Sequence, residues 1–216
     1  MSAENLEPSE FSSRQNAVLE QALQLLVEGG EKALTTSGLA RAASCSKESL
    51  YKWFGDRDGL LSAMIAYQAS KVRTVELHGE RMTPAALREH LTVFAKDLLE
   101  VLAGDVSLAL NRLAIGQSHR SGSKLGRLLI ERGRRQIDRR AMALIDAGKR
   151  GGVLRFNDGD EAYHTLYGLI VSDLHVRMLL GEPSIKDSGK KAERAVDAFL
   201  QLYGTEKAKA DIPALT

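Results

Sequence analysis

The sequence predicts an all-α protein: an N-terminal three-helix helix-turn-helix domain followed by a larger C-terminal helical domain. Three observations carry that prediction. The composition favours helix, with only 4 prolines and 5% aromatic residues beside abundant Ala, Leu, Arg and Glu. Apolar residues recur at three- and four-residue spacings, bounded by Ser, Thr, Asp and Gly at cap positions. The stretch Thr35 to Phe54 reads as two short helices around a tight turn, with polar groups on the outer side of the second.

The remaining bulk properties set bounds. At 216 residues, 44% apolar and 27% charged, the chain holds one large domain or two small ones. No run approaches the roughly eighteen apolar residues that a membrane span needs. Glu4, Glu7 and Glu10 make the N-terminus acidic, unlike a signal peptide. The single cysteine, Cys45, excludes an internal disulfide and fits a reducing cytoplasm. A cytoplasmic protein with no membrane partner is expected. His78, His90, His119, His164 and His175 form no ligand-spaced cluster, and Asp173 and His175 point to opposite sides of a helix. No catalytic residue, metal or cofactor is expected.

Taken in order, residues 1 to about 12 read as disordered. A helix follows from Ser13 to Glu28, apolar at Val18, Ala22, Leu25 and Leu26, and Gly29-Gly30 ends it. The next two helices span about Ser37–Ala43, capped by Thr35 or Thr36, and Lys47–Phe54, capped by Ser46. A longer helix runs from Asp56 to about His78. Thr83-Pro84 opens another, reaching about Leu102, and Asp105 to Ser118 makes a sixth. After a Ser-Gly-rich break at 118–123, a long Arg-rich helix runs from Lys124 to Ala147. Val153–Phe156 is too short for a sheet. Asn157 or Asp158 caps a helix to Leu180, and the last helix spans Ser188 to Tyr203. Domain boundaries are placed at 1–57, 58–204 and a C-terminal tail at 205–216.

Within the 35–54 stretch, Leu39, Ala40 and Ala43 give the first helix a narrow face that a second helix can cross closely. Leu50 and Phe54, four apart, form the inner face of the second. Its outer side is left for a groove about 12 Å wide. Charge argues partly against nucleic acid, because residues 1–60 carry six basic and nine acidic groups. The acids lie mostly upstream, and from Arg41 to Arg57 four bases face two acids.

The block Thr35-Thr36, Ala40 to Ala43, Ser46, Leu50-Tyr51-Lys52-Trp53-Phe54, Gly55-Asp56-Arg57 and Asp58-Gly59-Leu60-Leu61 resembles the DNA-binding segment of the tetracycline-repressor (TetR/AcrR-like) family. Ser44-Cys45 replaces the usual Gly-Val of the turn, and Arg57 replaces the usual Lys. More loosely, Leu125 to Glu182 resembles the C-terminal domain of AefR-like members. The resemblance implies a one-component transcriptional regulator, in most such proteins a repressor, with double-stranded operator DNA, a second copy of itself and an unidentified small-molecule effector as partners. The effector pocket is expected between about residues 84 and 180.

The candidate DNA-contacting residues are Thr36, Ser37, Ser46, Lys47, Ser49, Tyr51, Lys52, Trp53 and Arg57. Lys47 and Lys52 either contact DNA, at a phosphate or a base, or are ordinary solvated lysines; Arg57 would anchor a phosphate, and Tyr51 would donate to one. Thr36 would place helix N-terminal amides against a phosphate or simply cap. Ser49 either touches a base edge or is a small surface residue, and Trp53 either packs or touches sugar or a thymine methyl. Glu48 repels phosphate, so it either accepts from a cytosine amino group or is turned away.

In the penultimate helix Tyr163, Tyr167, Ile170 and Leu174 make one apolar stripe, widened by Leu166, Leu169, Val176 and Leu180. A helix apolar over so much of its circumference must be covered on more than one side. In families of this type the last two helices pair with their copies. The candidate dimer interface is therefore Tyr163, Tyr167, Ile170, Leu174, Val196, Phe199, Leu200 and Tyr203. A two-fold dimer would space two reading helices about 34 Å apart, matching a near-palindromic operator. Two rivals are an enzyme, which lacks any nucleophile, base or metal constellation here, and a helical adaptor that has lost DNA binding.

Overall fold

The structure is a computed structural model that describes residues 11–73, 82–119, 124–184 and 186–210. In chain order the helices are α1 (Ser13–Ala33), α2 (Thr36–Ala42), α3 (Lys47–Phe54), α4 (Arg57–Ser70), α5 (Pro84–Ala103), α6 (Asp105–Gln117), α7 (Leu125–Leu128), α8 (Arg135–Arg150), α9 (Gly159–Val171), α10 (Leu174–Leu179), α11 (Ser188–Tyr203) and α12 (Glu206–Ala210). A π-helical segment, Leu129–Arg134, joins α7 to α8. Among the described residues there is no strand, only a bridge between Leu154 and Gly204.

The chain folds as two compact units, residues 1–71 with 104–136, and residues 72–103 with 137–216. The first unit condenses on α1, whose Val18, Leu19, Leu23 and Leu26 are buried with Leu39, Leu50, Phe54, Met64, Leu110 and Leu125. Each such side chain contributes on the order of 1.5–3 kcal/mol when fully removed from water. This unit is larger than residues 1–57, because Met64 of α4 and Leu110 of α6 belong to the apolar cluster on α1. A capping box starts α1, with Ser12 accepting from the Gln15 amide and Gln15 from the Ser12 amide. Gly30 leaves the helical conformation (φ +64°), as its sequence position suggests, yet one further turn to Ala33 follows. Tyr67 of α4 donates to Glu20 of α1 at 2.5 Å. Burial, aided by the hydrogen bond and charge of Glu20, pushes its phenol up to about 12.

In the second unit α11 packs against α5 and α9. Leu87, Leu91, Phe94, Leu98, Ile145, Leu166, Ile170, Val196 and Phe199 are buried there. Arg88 of α5 donates to both carboxylate oxygens of Asp197 on α11, at 2.7 and 3.0 Å. Arg73 clasps Asp97 in the same way at 2.8 Å, and Arg140 donates to the Val72 carbonyl at 2.6 Å. Tyr163 donates to Asp138. Burial pushes the His175 imidazole below its ordinary value, and its Nε2 has no hydrogen-bond partner among the described residues.

Four sequence expectations need correction. The helix from Asp56 ends at Ser70, short of His78, and residues 74–78 lie outside the described residues. Leu125 to Arg150 is helical as expected but passes through the π segment, where Gly133 lies buried against Ile65 of α4. The helix expected to reach Leu180 breaks at Ser172 (φ +48°), which separates α9 from α10. Residues 206–210, read as part of a tail, form α12 with Ala208 buried; residues 211–216 lie outside the described residues.

The residues expected at the dimer interface lie mostly inside the protomer. Tyr163, Ile170, Val196, Phe199 and Leu200 are buried within a single chain, at 4% exposure or less. Tyr167, Leu174 and Tyr203 are half-buried, with the Tyr203 ring 5.1 Å from that of Phe199. On α11 the buried positions 192, 195, 196, 199 and 200 follow the i, i+3, i+4 rule of a core-facing stripe. The most apolar stripe of a helix is the one its own domain takes first. What α10, the residue after it and α11 leave exposed is Val176 (59%), Leu180 (82%) and Leu202 (63%).

Candidate nucleic-acid interface

The arrangement begins at Thr35, whose hydroxyl accepts from the Gly38 amide at 3.0 Å and starts α2. Thr35 is the cap, so Thr36 is the first helical residue and half-buried, beside exposed Ser37. The turn after α2 places Ser44 in the left-handed region (φ +48°), where the usual residue is glycine. Half-buried Cys45 packs against the apolar cluster.

Arg14 of α1 secures this turn from outside it. Its guanidinium donates to the carbonyls of Ala43 at 3.0 Å and Ser44 at 2.8 Å, two groups beyond the end of α2. Arg14 is not among the residues that the sequence marks for this site. No local pattern marks it, because its partners lie about thirty residues away.

Ser46 starts α3 by accepting from the Ser49 amide at 3.0 Å, and the two hydroxyls share a further hydrogen bond at 3.0 Å. Leu50 and Phe54 are buried, and half-buried Trp53 meets Phe54 edge-on with centroids 6.2 Å apart. Lys47, Glu48, Tyr51 and Lys52 are exposed. α3 thus shows the division that groove insertion requires, with one face seated on its domain and a cationic, polar face outward.

The support behind α3 is α4. Gly55 (φ +73°) turns the chain, and Asp56 caps α4 by accepting from the Gly59 amide at 2.8 Å. A Cβ at Gly59 would lie 1.9 Å from the Phe54 carbonyl oxygen, so only glycine lets α4 start this close to the end of α3. Arg57, a candidate phosphate contact, is paired within the protein. It donates to Glu31 at 2.9 Å and to the Leu34 carbonyl at 3.4 Å, bracing α4 against the end of α1. The structure therefore gathers Ser46, Lys47, Ser49, Tyr51, Lys52 and Trp53 on one short helix and its cap. Thr36 and Ser37 stand at the start of α2, and Arg57 is engaged elsewhere.

A capped helix, a tight turn and a second capped helix with a polar outer face, held on a longer helix, define the class of helix-turn-helix DNA-binding proteins. The chain belongs to the TetR family of bacterial transcriptional regulators. Residues 18–64 match the family model for bacterial regulatory proteins of the tetR family, and residues 89–205 match that for the AefR-like transcriptional repressor C-terminal domain. A TetR transcriptional regulator from Agrobacterium tumefaciens is 71% identical in sequence. Its crystal structure superposes with a TM-score of 0.81, over 93% of this chain and all of that one. A TetR-family regulator from Mesorhizobium loti shares the fold at 21% identity and TM-score 0.68, covering 89% of this chain and 97% of that one. The flavonoid-responsive regulator FrrA is 25% identical with a TM-score of 0.64, over 89% and 98%. No curated protein matches the chain. Regulators of this family bind DNA and are not enzymes. Among the described residues, no helix is long and apolar enough to cross a membrane.

Proposed function

We propose that the protein is a repressor that binds a near-palindromic operator as a two-fold homodimer and is released by a small-molecule effector. The observation that carries this reading is the outer face of α3. Lys47, Tyr51 and Lys52 are exposed there, while Leu50 and Phe54 fix the helix on its domain. Lys47 and Lys52 contact phosphates, Tyr51 donates to one, and Ser46 and Ser49 lie along the same helix start. Thr36 and Ser37 bring the first turn of α2 to the backbone.

The dimer forms through the side of α9–α11 that the protomer core leaves open. Its apolar contacts are Leu202 of α11, Val176 of α10 and Leu180 just beyond α10, flanked by half-buried Tyr167, Leu174 and Tyr203. Repression is supported by the AefR-like repressor domain that residues 89–205 match. A small-molecule effector is supported by the flavonoid-responsive neighbour. The second unit has a groove of about 420 Å³ lined by Arg88, Thr92, Val93 and Leu200, within the size range of small-ligand sites. The effector lowers operator affinity only by its differential binding to the two conformers.

Mobility shift with the DNA upstream of the gene tests the reading. A salt-dependent complex is expected, weakened roughly tenfold or more by Lys52→Ala. No complex at any salt concentration, or one indifferent to Lys52→Ala, would overturn it.

A further inference from the structure

One exposed residue of α3 does not fit phosphate binding. Glu48 lies in the first turn, and its carboxylate has no hydrogen bond or ion pair among the described residues. Lys52, one turn on, is positioned for an i, i+4 pair with it, yet the two make none. At about 100° per residue, Glu48 and Lys52 point about 140° and 180° from the mean direction of buried Leu50 and Phe54. No other position in α3 is turned so far from the core. Glu48 is not turned away from the groove-facing side; it sits near its centre.

We propose that Glu48 is a specificity-determining residue that reads cytosine in the operator half-site, an inference that rests on α3 lying in the major groove. A carboxylate has only acceptors, and phosphate oxygens are anionic, so contact with the DNA backbone is repulsive. Two base donors face the major groove, the cytosine N4 amino group and the adenine N6 amino group. The adenine amino group lies beside the N7 acceptor of the same base, whose lone pair opposes a carboxylate. Cytosine has no such acceptor on its major-groove edge and is the complementary partner. The first turn of a reading helix is also the part that reaches base edges. Lys52, beside Glu48, offsets the carboxylate against the surrounding phosphates, so the acid selects sequence without abolishing attraction.

The test is selection from a random duplex library with the full-length protein, followed by anisotropy titrations of the selected duplex and single-base variants. Wild type, Glu48→Ala and Glu48→Gln are compared, with thermal melts confirming that each folds. One cytosine per half-site is expected to lose its preference in Glu48→Ala, with discrimination there falling roughly tenfold to a hundredfold. Affinity for unrelated duplex should rise, since a repulsive charge has gone. In Glu48→Gln the preference should move toward adenine, which an amide contacts through both N6 and N7. If wild type selects no sequence, the DNA-binding reading falls and this inference with it. If wild type selects a sequence and Glu48→Ala keeps the same preference at every position, the acid serves only the helix N-terminus and the inference alone is overturned.

Discussion

The α2–α3 region and the α9–α11 region are both assembled from short, capped helices, but different forces hold them. In α2–α3 polar contacts fix the geometry: Thr35 and Ser46 cap, Arg14 binds the turn carbonyls, and only two large side chains of α3 are buried. In α9–α11 apolar packing does so, with six residues of α11 buried against its neighbours. Polar caps act over three or four residues and leave a helix with a free face. Apolar packing consumes the most hydrophobic face, so whatever serves a partner must be the second most hydrophobic one.

The sharpest way to break this contrast is to cut each side of α11. Phe199→Ala should cost about 3–5 kcal/mol, read by chemical denaturation, because it empties a fully buried site. Leu202→Glu, on the exposed flank of the same helix, should leave protomer stability within about 0.5 kcal/mol while sedimentation shows the proposed dimer giving way to monomer. A Leu202→Glu dimer as tight as wild type would move the interface elsewhere. In the other region, Gly59→Ala should cost about 2–3 kcal/mol and abolish operator binding, because the added methyl meets backbone. Arg14→Ala should cost about 1 kcal/mol and weaken DNA binding with unchanged base preference, a mobility-shift measurement. Ser44→Gly should raise stability by about 0.5–1 kcal/mol, since glycine adopts the left-handed turn without strain.

The smallest effect expected is on pH. His175 has a depressed folded-state pKa, so the folded protein binds its proton less readily than the unfolded chain. Its stabilising contribution is present above 6.5, the ordinary value, and is lost as pH falls through and below it. The melting temperature of wild type should therefore drop more steeply on acidification than that of His175→Leu.

What was legible in the sequence follows the same divide. Ser46, Leu50 and Phe54 announce α3 because a cap and an i, i+4 apolar pair lie within nine residues. Asp158 and Thr83 mark helix starts for the same reason. The burial of Val196 and Phe199 was legible, but what they are buried against was not, since a stripe does not name the surface it meets. Arg57 and Arg14 illustrate the remaining gap. Each looks like a surface cation in isolation, and only a carbonyl or carboxylate more than twenty residues away reveals its task. The break at Ser172 had no warning, because serine disfavours a positive φ and so gives no local sign that it adopts one.

The stretch from Leu129 to Arg134 winds more widely than the turns on either side, and this carries a consequence for sequence change. A π turn holds about one residue more than the α turn it replaces. Elsewhere in a helix, deleting one residue swings everything downstream by about 100° and faces core side chains to water. Here a deletion is absorbed by tightening the coil, and Leu125 and Ile137, buried before and after it, keep their headings. This helix therefore has one site where it tolerates shortening.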